Sequence, residues 1–130
     1  GVSAFSPEDA LNWGFTGPCL RACGVKRDLR KDETYCMYDH FDFEVPVGKN
    51  GDVFDRYKVR MIEMEESIKI IDQAYKLYKE MPADAPLKAR VPKVIKPPAG
   101  EVYSALESPN GELGFFVRSD GTNKAYRIRI

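Results

Sequence analysis

The sequence is poor in the residues that carry most protein chemistry. It holds one histidine, three cysteines and one tryptophan in 130 residues, and its 20 Lys and Arg balance its 20 Asp and Glu. A formal net charge of zero leaves no long-range field to draw the chain to nucleic acid or an anionic membrane, so no nucleic-acid partner is expected. No apolar run approaches the roughly 18–20 residues of a membrane span, and the first residues lack a basic-then-apolar signal. The chain as it stands is expected to be soluble and untargeted. Cys19, Cys23 and Cys36 are odd in number and lack a disulfide-framework spacing, which suits a reducing compartment. The length suffices for one domain with one core.

These scarcities limit the chemistry available. Cys19 and Cys23 would share a helix face, yet a structural zinc site takes four ligands and only Cys36 and His40 remain to complete it. No spacing matches a zinc knuckle or ribbon, so small buried cysteines are expected. His40 lies between Asp39 and Phe41 with no serine, cysteine and carboxylate pattern around it, which reads as a surface or strand-edge residue.

The dominant positive feature is a long helix from Gly51 to Met81. Phe54, Tyr57, Met61, Met64, Ile68, Ile71, Tyr75 and Tyr78 recur at spacings of three and four, an apolar stripe expected to be buried. Asp52 suits the N-cap, Asp55 the first turn, and Lys76 and Lys79 the last, before Pro82 forbids continuation. At about 1.5 Å per residue such a helix spans roughly 45 Å, longer than a globule of this chain length is wide. Its stripe therefore calls for another copy or a further neighbour.

Ahead of it, Ser6-Pro7-Glu8-Asp9 opens a short helix that Gly14 stops, and Thr16-Gly17-Pro18 opens a second that Gly24 ends. Lys26 to Glu33 is a run of mixed charge. Composition favours a solvated surface, with a buried bidentate pair of Asp28 with Arg30 or Arg21 as the alternative. Phe41, Phe43 and Val45 alternate as in a half-buried strand. After Pro82, repeated prolines and basic residues mark an extended connector. Glu101–Glu107, Leu113–Val117 and Ala125–Ile130 read as three strands, joined by Ser108-Pro109-Asn110-Gly111 and Ser119–Asn123. The expected class is α+β: residues 1–50 a helix and loop insert with a short strand, 51–81 the long helix, 82–100 the connector, and 101–130 an antiparallel meander. The last strand ends in mid-pattern, as in a fragment.

Taken together, Gly17-Pro18-Cys19-Leu20-Arg21-Ala22-Cys23-Gly24, Asp28-Leu29-Arg30-Lys31, Asp55-Arg56-Tyr57, Glu107-Ser108-Pro109 and Ser119-Asp120-Gly121 resemble one family. It is the 49-kDa subunit of proton-pumping NADH:quinone oxidoreductase, respiratory complex I. The resemblance implies a central-to-late fragment of a quinone-site subunit. Such a subunit sits in the peripheral arm, on the cytoplasmic face of a bacterial inner membrane or the matrix face of a mitochondrial one. It implies other peripheral-arm subunits as partners, especially the one carrying the terminal iron–sulfur cluster, with self-association of the isolated fragment as a further expectation. The matching blocks make Arg21, Asp28, Arg30, Arg56, Glu107 and Asp120 the structural and interface candidates, with no catalytic, cofactor or metal residue. Quinone, NADH, FMN and iron–sulfur clusters would be held by other subunits or other segments. The family's quinone-binding histidine lies in its N-terminal half, so His40 is not that residue.

The fold is shared with nickel–iron hydrogenase large subunits, which makes a fragment of a hydrogenase-like membrane complex one alternative, and a non-enzymatic interaction module another. A nickel–iron site takes two Cys-x-x-Cys pairs, and this stretch has none. Asn110 stands where hydrogenases carry an arginine in a Pro-Arg-Gly turn. Two departures from the complex I pattern are Cys23, where serine is common, and a connector without the helical Glu/His-His segment of many members.

No cysteine pattern suits a cluster and no Gly-x-Gly-x-x-Gly follows a strand. The chain purified without denaturant should therefore show no absorption above the aromatic band. Stoichiometric iron or nickel by elemental analysis would contradict this.

Overall fold

The computed structural model describes residues 1–86 and 88–130. Three short helices, α1 (Pro7–Asn12), α2 (Gly17–Ala22) and α3 (Leu29–Asp32), precede a 3-10 turn at Tyr38–His40 and the long helix α4 (Val53–Glu80). The strands β1 (Gly100–Ser108), β2 (Gly111–Ser119) and β3 (Ala125–Arg129) form one antiparallel sheet in the order β1-β2-β3. The fold is α+β, as the sequence pattern implies.

Capping chemistry sets the helix starts. Ser6 Oγ accepts from the Asp9 amide at 3.1 Å with Pro7 at the first helical position, and Asp52 Oδ1 accepts from the Asp55 amide at 2.9 Å. Helix α4 runs unbroken for 28 residues, its cap and stop falling within the predicted span. Thr16 occupies the N-cap position of α2 without capping it. Its hydroxyl instead accepts from the Glu112 amide at 3.0 Å, which joins α2 to β2. The Lys26–Glu33 run contains α3, capped by Asp28 through the Arg30 amide at 3.0 Å, which composition alone does not show.

The expected strand at Phe41–Val45 does not form. The segment is extended and the alternation survives, with Phe43 and Val45 buried and Asp42 and Glu44 exposed. Its backbone, however, bonds to helix side chains rather than to another strand. The Asp42 amide donates to Gln73 Oε1 at 2.8 Å and the Glu44 amide to Glu66 Oε2 at 2.9 Å. Further along, the Lys49 and Asn50 amides both donate to Asp55 Oδ2, at 2.9 and 2.6 Å. With their donors satisfied by a helix, these residues need no ladder.

A second correction concerns the face of α4. The stripe expected to be buried is open: Tyr57 and Ile68 are each 60% exposed and Met61 is 41% exposed. The side packed on the chain carries Asp55, Val59 and Glu66 instead. Helix α2 lies there, with Leu20, Ala22 and Val59 buried, while Ala10, Leu20 and Cys23 form a small core beneath Phe5, Phe15 and Val25. One short α-layer and a three-stranded sheet cannot cover both sides of so long a helix.

The sheet approaches α2 through two glycines. A Cβ on Gly17, at φ +59°, would stand 2.2 Å from Gly111 Cα, and one on Gly111 would stand 2.4 Å from Thr16 Oγ1. The β1–β2 connection is Pro109-Asn110, with Ser108 and Gly111 paired across it. Gly14 has a similar positive φ of +70° but open space around it.

Gly17→Ala should cost about 2–4 kcal/mol, from overpacking added to left-handed strain. Gly14→Ala should cost only the conformational part, about 1–2 kcal/mol. Equal shifts of the urea midpoint in the two variants would refute the close contact as the cause.

Candidate functional site

Arg21 is 1% exposed, the largest fully buried side chain of the described residues. A guanidinium stays charged in a protein, so its burial demands anionic partners and full use of its donors. Arg21 Nε donates to Glu63 Oε1 of α4 at 2.7 Å. Its Nη1 donates to Glu107 Oε1 of β1 at 2.8 Å and to the Arg27 carbonyl at 2.8 Å, with Asp28 Oδ2 at 3.8 Å. One side chain of α2 thus reaches the long helix, the sheet and the loop before α3.

Asp28 is equally buried, at 1%. Arg30 clasps it with both prongs, Nε to Oδ1 at 2.9 Å and Nη2 to Oδ2 at 2.6 Å. Burial alone would raise the Asp28 pKa, but the Arg30 fork and the nearby Arg21 charge outweigh it and hold the carboxyl below its ordinary value. Burial likewise works against the charged Arg30, and Asp28 raises its pKa on balance. The Arg30 guanidinium also lies over Phe43, 4.9 Å from the ring centroid, and near Tyr38. Glu107 is fixed from three sides: Oε1 by Arg21, Oε2 by the Leu29 amide at 3.2 Å, and its own amide donating to Tyr35 Oη at 3.0 Å.

Four of the six sequence candidates, Arg21, Asp28, Arg30 and Glu107, therefore meet in one buried network. At Asp28 and Arg30 the buried bidentate pair forms, and not the solvated surface that composition alone favours. The other two lie elsewhere. Arg56 donates to the Gly51 carbonyl at 2.8 Å and the Ser3 carbonyl at 3.1 Å, fastening the first residues to the start of α4. Asp120 accepts from the Thr122 amide at 3.0 Å in the β2–β3 turn. Sequence reasoning did not name Glu63 among the site candidates. Its spacing from Asp55, Val59 and Glu66 puts it on their face, a signal that could have found it.

The network forms the floor of a cleft of about 640 Å³ between α4 and the β1–β2 turn. Tyr38, Tyr57, Met61 and Met64 make its apolar walls, and Arg60 crosses its rim to the Pro109 carbonyl at 3.0 Å. No cluster of His, Cys, Asp and Glu among the described residues has the arrangement of a metal site. Cys19, Cys23 and Cys36 are free thiols, and burial pushes the Cys23 thiol up, the nearby Arg56 charge opposing it. His40 is exposed, 3.9 Å from Asp39.

Comparison with known proteins gives a consistent picture. A family model described as the 49-kDa subunit of respiratory-chain NADH dehydrogenase matches residues 1–130. The D subunit of NADH-quinone oxidoreductase from Carboxydothermus hydrogenoformans is 50% identical over the whole chain, which covers 34% of that relative. Its counterpart from Bacillus mycoides is also 50% identical, with 35% of it covered. Among solved structures, a chain of the membrane-bound sulfane sulfur reductase, an archaeal respiratory membrane complex, superposes with a TM-score of 0.89 at 39% identity, covering all of this chain and 35% of that one. The chain thus spans about a third of the length of these relatives.

Asp28→Asn leaves the half-buried Arg30 without its bidentate carboxylate and should cost about 3–5 kcal/mol at neutral pH. Because the folded Asp28 pKa is depressed, its contribution is fully present above the unfolded aspartate value and is lost as pH falls through the folded one. The stability difference between parent and variant should narrow below about pH 4, where Asp28 takes up its proton in the parent. Chemical denaturation as pH is lowered measures it, and a difference that narrows above pH 5 would contradict the assignment.

Proposed function

The chain belongs to the family of the 49-kDa subunit of respiratory-chain NADH dehydrogenase, and from that membership we propose that it is a scaffold segment of the quinone-site subunit of a proton-pumping NADH:quinone oxidoreductase. The observation that carries this reading is the match over every residue of the chain, supported by a buried ion network suited to holding geometry rather than to turnover. Electrons would pass from NADH through FMN and iron–sulfur clusters on other subunits to quinone. The residues of this chain contact none of the reacting atoms in that scheme. Arg21, Asp28, Arg30, Glu63 and Glu107 hold α2, α3, α4 and β1 at fixed distances, and so fix the loop after Gly17-Pro18 and the β1–β2 turn.

The partners in this reading are the other peripheral-arm subunits, foremost the one bearing the terminal iron–sulfur cluster, with Arg56 and Asp120 as additional candidate contact positions. No helix of the described residues is long and apolar enough to cross a membrane; in this reading the chain is attached to the membrane through other subunits, on the cytoplasmic or matrix side. The bare stripe of α4 gives the isolated chain a surface through which to self-associate. The 39% identity to a sulfane sulfur reductase chain keeps a second reading open, in which the same segment serves a membrane complex with a different acceptor. The higher identity to the NADH-quinone oxidoreductase relatives favours quinone.

Asp28→Asn in the complete complex tests the proposal. It should lower NADH:quinone activity or assembly several-fold while NADH oxidation by an artificial acceptor is retained. Normal assembly with parental quinone reduction would show that the network does not support the quinone site.

A further inference from the structure

The buried network does not balance its charge. It brings two guanidiniums, Arg21 and Arg30, against three carboxylates, Asp28, Glu63 and Glu107. One negative charge is left over in a place largely withdrawn from water, where uncompensated charge is costly. The hydrogen bonds identify the carboxylate that bears it. Asp28 accepts from the Arg30 amide, Nε and Nη2, and Glu107 accepts from Arg21 Nη1 and the Leu29 amide. Glu63 accepts one bond, from Arg21 Nε to Oε1, and Oε2 receives no donor from the described residues. Its side chain is 16% exposed, against 1% for Asp28 and 6% for Glu107, and it lines the cleft.

We propose that Glu63 is a proton-binding site whose occupancy switches the wall of the cleft from hydrogen-bond acceptor to donor. A proton entering through the cleft binds at Oε2, while Oε1 keeps its bond from Arg21 as a carbonyl oxygen. The network then stands at two positive and two negative charges. The cleft wall presents an O–H to any acceptor oxygen that enters between Tyr57, Met61 and Met64. The groups facing Glu63 are Arg21 from α2, Asp28 and Arg30 from the α3 segment, and Glu107 from β1. Tyr38 and, from the same helix, Tyr57 and Arg60 also line the cleft, Arg60 being exposed and turned to the Pro109 carbonyl. Burial pushes the Glu63 carboxyl up, and the attraction of Arg21 only partly offsets it. This inference stands on the charge count and hydrogen bonds of the network, and does not require that quinone be the acceptor.

A carbon-13 NMR titration of the side-chain carboxyls in the full 130-residue chain tests it. Glu63 should titrate above the ordinary glutamate value and before Asp28. A midpoint at or below that value, or prior protonation of Asp28, would overturn the proposal. Glu107→Gln balances the network and should lower the Glu63 midpoint; an unchanged midpoint would refute charge imbalance as the cause. Glu63→Gln mimics the protonated state and covers the case in which Glu107→Gln does not fold. A raised folded pKa contributes stability that is present below the unfolded value and lost as pH rises through the folded one. The denaturation midpoint of the parent should therefore rise as pH falls through the Glu63 step, and that rise should be absent in Glu63→Gln. Unfolding of Glu63→Gln where the parent is folded, or an identical rise in both, would refute the proposal. Neither readout uses quinone reductase activity, so this inference and the functional one fail separately.

Discussion

A guanidinium that cannot be discharged organises this molecule. Arg21 is withdrawn from water on a helix of only six residues, and its charge survives there because carboxylates from distant parts of the chain converge on it. Glu63 comes from the long helix and Glu107 from the first strand, 42 and 86 residues away in sequence. Desolvation makes such a network costly to assemble and more costly to break by half. The arrangement therefore acts as a specification: α2, α4 and β1 satisfy Arg21 together only when all three are in place. Asp28 and Arg30 extend it to α3, while the Leu29 amide donates to the Glu107 carboxylate and the Glu107 backbone amide donates to Tyr35 Oη.

The same logic explains the inverted character of α4. An amphipathic helix ordinarily presents its apolar side to its own chain. Here the packed side is largely polar, because its work is to satisfy backbone donors and buried charge. Asp55 accepts from the Lys49 and Asn50 amides, Glu66 from the Glu44 amide and Gln73 from the Asp42 amide. Those bonds hold the Asp55 carboxyl below its ordinary value, and for Glu66 the Lys69 pair and the Glu44 amide do the same. The apolar side is left bare. In a chain that spans about a third of its relatives, a bare stripe of this length fits a segment built to be covered by more protein.

Close backbone approach is the third element of the design. The sheet reaches α2 because Gly17 and Gly111 present no side chains to each other, and Thr16 gives its hydroxyl to the Glu112 amide rather than to its own helix. Arg60 then holds the intervening turn through the Pro109 carbonyl and Asn110. The cleft floor and rim are thus positioned by contacts of different kinds, ionic below and backbone-directed above.

The sequence alone determined the local elements: the Ser6-Pro7 helix start, the Asp52 cap, the unbroken course of α4 and the three-stranded meander with its turns. These follow from interactions between residues within a few positions of one another, which leave a period or a cap signature in the chain. Tertiary structure decided what those signals cannot carry. The Phe41–Val45 alternation is genuine, yet only the presence of Gln73 and Glu66 beside it determines that no strand forms. The apolar stripe of α4 is genuine too, but periodicity says which residues share a face and not which face meets the rest of the chain. Arg21, Asp28, Arg30 and Glu107 could be singled out by family resemblance. The pairing of Glu63 with Arg21 is decided only in three dimensions, because a glutamate on a charged helix reads as solvated until an arginine 42 residues earlier in the chain is brought against it.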